Sequence, residues 1–160
     1  MRPRTRKTWR EKLANSKGLP KTSPVTGAVS RRWGAGTMVV PAPAEVDAAM
    51  RAVPQGRLTT LNQIRVRLAR QHQVTFCCPI TAGIFAWIAA HAAEEAAAAG
   101  AKRITPWWRT LKSDGALNPK YPGGGEFQAA RLQAEGFVIE LGRGRKPARV
   151  KEHEKFLVKD

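Results

Sequence analysis

Up to about Thr37 the apolar positions are sparse and irregular, and beyond it they recur with helical spacing. Pro43 suits the first turn of a helix over residues 44–52, where a missing N–H is harmless. Val53-Pro54-Gln55-Gly56 predicts a turn, because proline fixes one φ and glycine permits a positive one. Thr60 is a candidate cap for a second helix, with Leu61, Ile64, Val66 and Leu68 as its apolar positions. Pro79 opens a third, long helix that runs to about Ala99 and is stopped by Gly100. Ile80, Ile84, Trp87, Ile88 and His91 recur along it at three- and four-residue intervals, which assigns Ile80, Ile84 and Trp87 to the core. Its alanine-rich second half, with Glu94 and Glu95, is a strong helix former.

A glycine-rich stretch containing Gly115 and Pro122-Gly123-Gly124-Gly125 precedes a further helix over residues 126–135. Residues 137–141 and 148–150, joined by Gly142-Arg143-Gly144-Arg145, read as a short hairpin with a basic tip, and residues 152–158 as one or two helical turns. The fold class expected is mainly α with a small β-hairpin. Two adjacent helices and a ribbon fit a winged-helix-like helix-turn-helix DNA-binding domain.

Charge changes the picture at the amino-terminal end. Residues 1–33 hold ten Lys or Arg and one acid, Glu11, together with Pro3, Pro20 and Pro24. This predicts a basic, largely extended arm over residues 1–36, with a helical turn or two over residues 9–16, ahead of a compact domain at residues 37–160. Such an arm either tracks phosphates or serves only solubility. The whole chain carries 28 Lys and Arg against 12 Asp and Glu, a net charge of +16, and a polyanion is the simplest partner for it. No stretch approaches the roughly 20 apolar residues of a spanning helix. The start has no apolar signal region, and two adjacent cysteines, Cys77 and Cys78, form no disulfide framework. A cytoplasmic protein is expected, nucleoid-associated in a bacterium, that binds no membrane. His72, His91 and the cysteines lack paired metal-ligand spacing, so no metal and no cofactor is expected.

Two stretches carry a family resemblance. The first is Val53-Pro54-Gln55-Gly56-Arg57-Leu58-Thr59-Thr60-Leu61-Asn62-Gln63-Ile64. The second is Pro106-Trp107-Trp108-Arg109, followed by Gly115-Ala116-Leu117, Tyr121-Pro122-Gly123-Gly124 and Glu135-Gly136. Over roughly residues 44–137 this series resembles, in order, the DNA-binding and active-site domain of the O6-alkylguanine-DNA alkyltransferases. That family carries V/I-P-x-G-x-V-x-x-Y-G-x-I-A, then P-C-H-R-V with its alkyl-accepting cysteine, then G-x-L, Y-x-G-G and E-G.

Trp107 stands at the cysteine and Trp108 at the histidine base. Alkyl acceptance needs a thiolate made by an adjacent base, and an indole has no comparable nucleophile. Cys77 and Cys78 lie about thirty residues upstream with no matching base. The chain is therefore expected not to be an enzyme and to have no catalytic residue. It is similar to the alkyltransferase-like branch, in which tryptophan replaces the cysteine, although that branch usually retains P-W-H-R. The resemblance implies a protein that binds alkylated double-stranded DNA in the minor groove as a monomer, without repairing it, and hands the lesion to excision-repair proteins. An architectural or regulatory DNA-binding protein on the same scaffold is the alternative; an active repair methyltransferase is a remote one.

The resemblance also implies a pocket for an extruded base lined by Trp107, Trp108, Tyr121, Gly123, Gly124 and Glu135. Base–aromatic stacking of roughly 1–3 kcal/mol would offset part of the unstacking cost. The competing reading of the two tryptophans is that they fill and close the old cavity. Tyr121 either lines the pocket or packs the glycine turn, and Glu135 either belongs to the site or satisfies backbone donors. The DNA contacts implied are Arg57, Thr59, Thr60, Thr81, Gly83, Lys102, Arg103, Arg109, Arg143 and Arg145, with Arg109 alternatively a tether for its loop. Gly83 occupies the place of the family's inserted arginine and Leu61 that of its phosphate-rotating tyrosine, which sets the base-extrusion step apart from DNA binding itself.

Overall fold

The computed structural model describes residues 6–159; the basic start Met1–Thr5 lies outside the described residues. The long helix predicted after Pro79 is α5 (Pro79–Ala98), and the other elements are arranged around it. It begins with proline at its first position and ends ahead of Gly100, whose φ of +99° suits a glycine stop. Before it come α3 (Pro43–Arg51) and α4 (Leu61–Gln71), both close to their expected bounds. The Thr60 hydroxyl accepts the Gln63 amide at 3.2 Å and caps α4. Ile64, Leu68 and Ala69 form the buried face of α4, while Val66, expected among its apolar positions, is exposed.

The buried face of α5 is not the one its large residues suggest. Ala82, Ala86, Ala89, Ala90, Ala92 and Ala93 are buried, while Ile80 and Ile84 are 56% and 44% exposed. Trp87 is only partly covered. The assignment of Ile80, Ile84 and Trp87 to the core is thus corrected. The helix is packed by α3, by α4 and by the segment at Trp107, so its inward face must let several backbones approach closely. Alanine permits that approach and isoleucine does not.

A second correction concerns the amino-terminal end. The helical turn or two expected over residues 9–16 is α1 (Trp9–Ala14), whereas the rest of the segment, expected to be largely extended, contains the helix α2 (Gly27–Trp33) and the paired strands β1 (Lys21–Val25) and β2 (Gly36–Val40). Thr8 and Glu11 form a reciprocal capping box at the start of α1. That helix lies on α5, with the Trp9 ring edge-on to Trp87 at 4.8 Å and stacked on His91 at 4.5 Å. The Glu95 carboxylate accepts the Trp9 and Arg10 amides at 3.1 and 3.2 Å. Strand β2 pairs antiparallel with β1 and parallel with β4 (Phe76–Cys77), in the register Met38↔Phe76 and Val39↔Cys77. Val25 and Val39 are buried, and Trp33 stands edge-on to Phe76 at 6.3 Å. A handful of apolar groups, with partners supplied by distant segments, is enough to order this basic stretch.

The carboxy-terminal half surrounds a second apolar cluster of Leu58, Leu111, Leu117, Leu132, Phe137 and Val150. It is bounded by the parallel pair β3 (Thr59–Thr60) and β5 (Thr110–Leu111), by α6 (Glu126–Ala134) and by the hairpin of β6 (Ile139–Glu140) and β7 (Arg149–Val150). The final segment closes this half, Leu58 donating to the Phe156 carbonyl and Val158 to that of Leu58. Gly115 has a φ of +86°, and a Cβ there would come within 2.3 Å of the His153 ring, so this turn admits glycine alone. Among the described residues no helix is long and apolar enough to cross a membrane.

The alanine face yields a paired prediction. Ala86→Leu is expected to destabilise the fold by about 1–3 kcal/mol through overpacking. Ile84→Ala should stay within about 0.5 kcal/mol of the parent, as surface changes do. Urea unfolding midpoints measure both, and equal losses would return Ile84 to the core.

Candidate nucleic-acid interface

After Pro106 the chain makes a short 3-10 turn, Trp107–Arg109, and then enters β5. The Trp107 ring is fully buried. Its Nε1 donates to Glu94 Oε1 of α5 at 3.0 Å, which meets the requirement of a buried indole N–H for an acceptor. Tyr121 and Trp108 stand edge-on to it at 5.5 and 5.8 Å. Arg131 of α6 pairs with the same Glu94 oxygen at 2.7 Å and lies over the Trp108 ring, 4.6 Å from its centroid.

Trp108 is held from the other side. Its Nε1 donates to Glu135 Oε2 at 2.5 Å. Arg109 Nε reaches both Glu135 oxygens at 3.0 Å, and its terminal nitrogen donates to the Val53 carbonyl at 2.8 Å. The Gly56 amide completes the set, 3.1 Å from Glu135 Oε1. One carboxylate thereby fixes the Pro54–Gly56 turn, the Trp107–Arg109 turn and the end of α6. Gln128, fully buried, adds a second tie: its Nε2 donates to the Trp108 and Thr110 carbonyls at 3.2 and 3.3 Å, and its Oε1 accepts the Asn118 amide at 2.9 Å.

The structure therefore brings Trp107, Trp108, Tyr121 and Glu135 into one connected group. Gly123 and Gly124 lie in the exposed turn directly after Tyr121. A Cβ on Gly123, at φ +79°, would meet the Phe127 ring at 2.3 Å. Tyr121 is buried, and its hydroxyl has no hydrogen-bond partner among the described residues. Burial pushes the phenol above its usual range, Asn118 acting weakly against that shift.

The expected DNA contacts divide into two sets. Arg57, Lys102, Arg103, Arg143 and Arg145 are exposed. Thr59 and Thr60 are buried, the Thr59 hydroxyl donating to Gln63 Oε1 at 3.0 Å while Thr60 caps α4. The Thr81 hydroxyl donates to the Cys78 carbonyl at 3.5 Å, and Arg109 is committed to Glu135 and Val53. These four side chains serve the scaffold. Gly83 faces open space.

Sequence reasoning missed Glu94, Gln128 and Arg131 as supports of the indole pair. The available signal was the scarcity of acids: with 12 in the chain, an acid on an apolar helix is a marked position. It also missed Lys112 and Lys120, which join Ile80, Gly83, Ile84 and Trp87 in lining a cleft of about 570 Å³ beside α5.

Both cysteines are buried, Cys77 in β4 and Cys78 at the start of α5. Burial pushes the Cys77 thiol up to about 12, with Arg65 opposing part of the shift. No three His, Cys, Asp or Glu side chains gather into a metal-binding group among the described residues.

The backbone is similar in fold to solved alkyltransferase-like proteins. The crystal structure of S. pombe Atl1 in complex with damaged DNA containing O6-carboxymethylguanine superposes with a TM-score of 0.51 at 21% identity, over 74% of this chain and 94% of that one. S. pombe ATL in complex with DNA gives a TM-score of 0.52 at 22% identity with the same coverage. No protein-family profile matches the sequence, and no curated protein matches it significantly.

Two predictions follow from this geometry. Glu135→Ala removes the partner of a largely buried arginine and an indole N–H, and is expected to cost about 3–5 kcal/mol in urea unfolding. Glu135→Gln, which keeps an acceptor, should lose less. For the thiols, a pKa near 12 leaves roughly one Cys77 in ten thousand ionised at pH 8. Disulfide-exchange labelling should therefore be slow in the native protein and fast in guanidinium. The same shift makes native stability fall as pH rises from about 9 towards 12, because only the unfolded chain ionises this thiol freely there.

Proposed function

We propose that this protein is a non-enzymatic, alkyltransferase-like DNA-binding protein that recognises alkylated or otherwise damaged DNA for repair without transferring the alkyl group. The observation that carries the reading is the outward half of α5. It presents an uncharged face flanked by Lys112 and Lys120, on a fold whose solved relatives were crystallised with DNA. In this reading α4 and α5 act as the helix-turn-helix, with α5 in the minor groove and the β6–β7 hairpin as a wing whose Arg143 and Arg145 meet phosphates. Residues 37–160 form the alkyltransferase-like unit, and residues 1–36 add further cations. The protein acts as a monomer in the cytoplasm or on the nucleoid, and excision-repair proteins receive the lesion.

Chemistry at the site is recognition only. Trp107 and Trp108 offer aromatic faces and N–H donors, both already engaged by carboxylates, and no nucleophile. Buried Cys77 stays protonated near neutrality. An extruded base would stack beside Trp108 and Tyr121 and give the unpartnered Tyr121 hydroxyl a hydrogen bond. Its entry requires the turn after Tyr121 to move, and three successive glycines there, at φ +79°, +67° and +95°, supply the hinge. One observation favours the architectural alternative: the Trp107 ring is fully covered, as a cavity filler would be.

Fluorescence anisotropy on duplexes with guanine or O6-methylguanine, over a range of salt, tests these readings. Four phosphate contacts, from Lys112, Lys120, Arg143 and Arg145, would give a log–log salt slope of roughly −3.6. The damage-recognition reading expects tighter binding of the methylated duplex, with the methyl group retained on the base by mass spectrometry. Equal affinities would favour the architectural reading, and weak binding indifferent to salt would sink both.

A further inference from the structure

We propose that Ile80 and Ile84 form an apolar wedge that enters the base stack of duplex DNA. The proposal rests on duplex DNA being the ligand of this face.

The two isoleucines lie one turn apart and are 56% and 44% exposed, although α5 has a fully buried alanine face on its other side. Beside Ile80, on the side away from Ile84, Gly83 has no heavy atom within 4 Å of where a Cβ would stand, so a larger residue would fit there unopposed. Glycine in mid-helix is unfavourable, and at an open position its effect is to let an incoming group approach the backbone alongside the two bulky side chains. From Pro79 to Ala93 the helix bears no Lys, Arg, Asp or Glu. The charge around this apolar strip comes instead from Lys112 and Lys120 across the cleft.

That distribution, apolar at the centre and cationic at the rim, complements a nucleic-acid groove, where bases form the floor and phosphates the walls. Proteins that enter the minor groove often insert Ile, Leu, Met or Phe between base steps and kink the duplex there. A protein partner would also cover isoleucines. It would have less use for two lysines lining the same cleft in a chain of net charge +16. A single inserted cation would neutralise a phosphate or fill a vacated base position. Two β-branched side chains instead pry a step open by shape, and are stiff enough to do so.

The probe is a duplex carrying 2-aminopurine beside a flexible TA step, read by fluorescence, with end-labelled copies reporting bending by energy transfer. The full chain is expected to raise 2-aminopurine emission at least about twofold, the response to unstacking, and to bring the ends closer. Ile80→Ala/Ile84→Ala should lose both signals and bind roughly tenfold to a hundredfold more weakly, with the salt slope of the parent because the phosphate contacts remain. Ile80→Val/Ile84→Val, which keeps both positions β-branched, should retain most of the emission change. Circular dichroism melting of the double variant should match the parent, since neither side chain is buried. Binding without any emission change in the parent protein, or an unchanged response in the double variant, would overturn the wedge and leave DNA binding standing. Absence of salt-dependent binding would overturn both. A dimer in sedimentation that the double variant dissolves would assign the isoleucines to self-association and likewise overturn the proposal.

Discussion

The arrangement depends on where two adjacent indoles put their N–H groups. Trp107 and Trp108 point in different directions, one into the cluster around α5 and the other to the seam between the two apolar clusters, where Trp108 packs against both. A buried indole needs an acceptor, and each finds a carboxylate on a different helix: Glu94 of α5 and Glu135 just beyond α6. Arg131 and Arg109 then neutralise those carboxylates within the same group. The two halves are consequently joined by a polar frame around an aromatic centre, and neither tryptophan can turn without disturbing a helix.

The same frame places the outer face of α5. Glu94 ties the second half of that helix to the Trp107 turn, and Gln128 ties the turn to Asn118, one of the residues across the cleft from Ile84. The distance between the isoleucines and the lysines facing them is thus governed by interior contacts. A rigid spacing of this kind suits a surface that must match a repeating polymer.

Much of the fold was legible in the sequence because its punctuation is strong. Pro43, Thr60, Pro79 and Gly100 mark helix ends by local chemistry, and the elements lie where those residues put them. The ordered series through Trp107, Trp108, Tyr121 and Glu135 identified side chains that do meet in space. What failed depended on neighbours. Both the isoleucines and the alanines of α5 recur at helical spacing, and only the closeness of three packing partners selects the alanine face. Strand β2 could not be read because its partners are β1, inside a charge-rich stretch, and β4, only two residues long. Thr59, Thr60 and Arg109 are polar and near the expected DNA face, yet their hydrogen bonds turn inward.

The docking of α1 on α5 has a consequence in time. Trp9 is made some eighty residues ahead of the surface it covers, Trp87 and His91, and of the carboxylate that accepts its amide, Glu95. At typical elongation speeds that is an interval of roughly 4 to 17 s. Through it α1 lacks the helix it docks on, in the immediate neighbourhood of ribosomal RNA. Docking of Trp9 is therefore a late event, and it leaves Arg6, Lys7, Arg10 and Lys17 exposed to polyanions both before and after it.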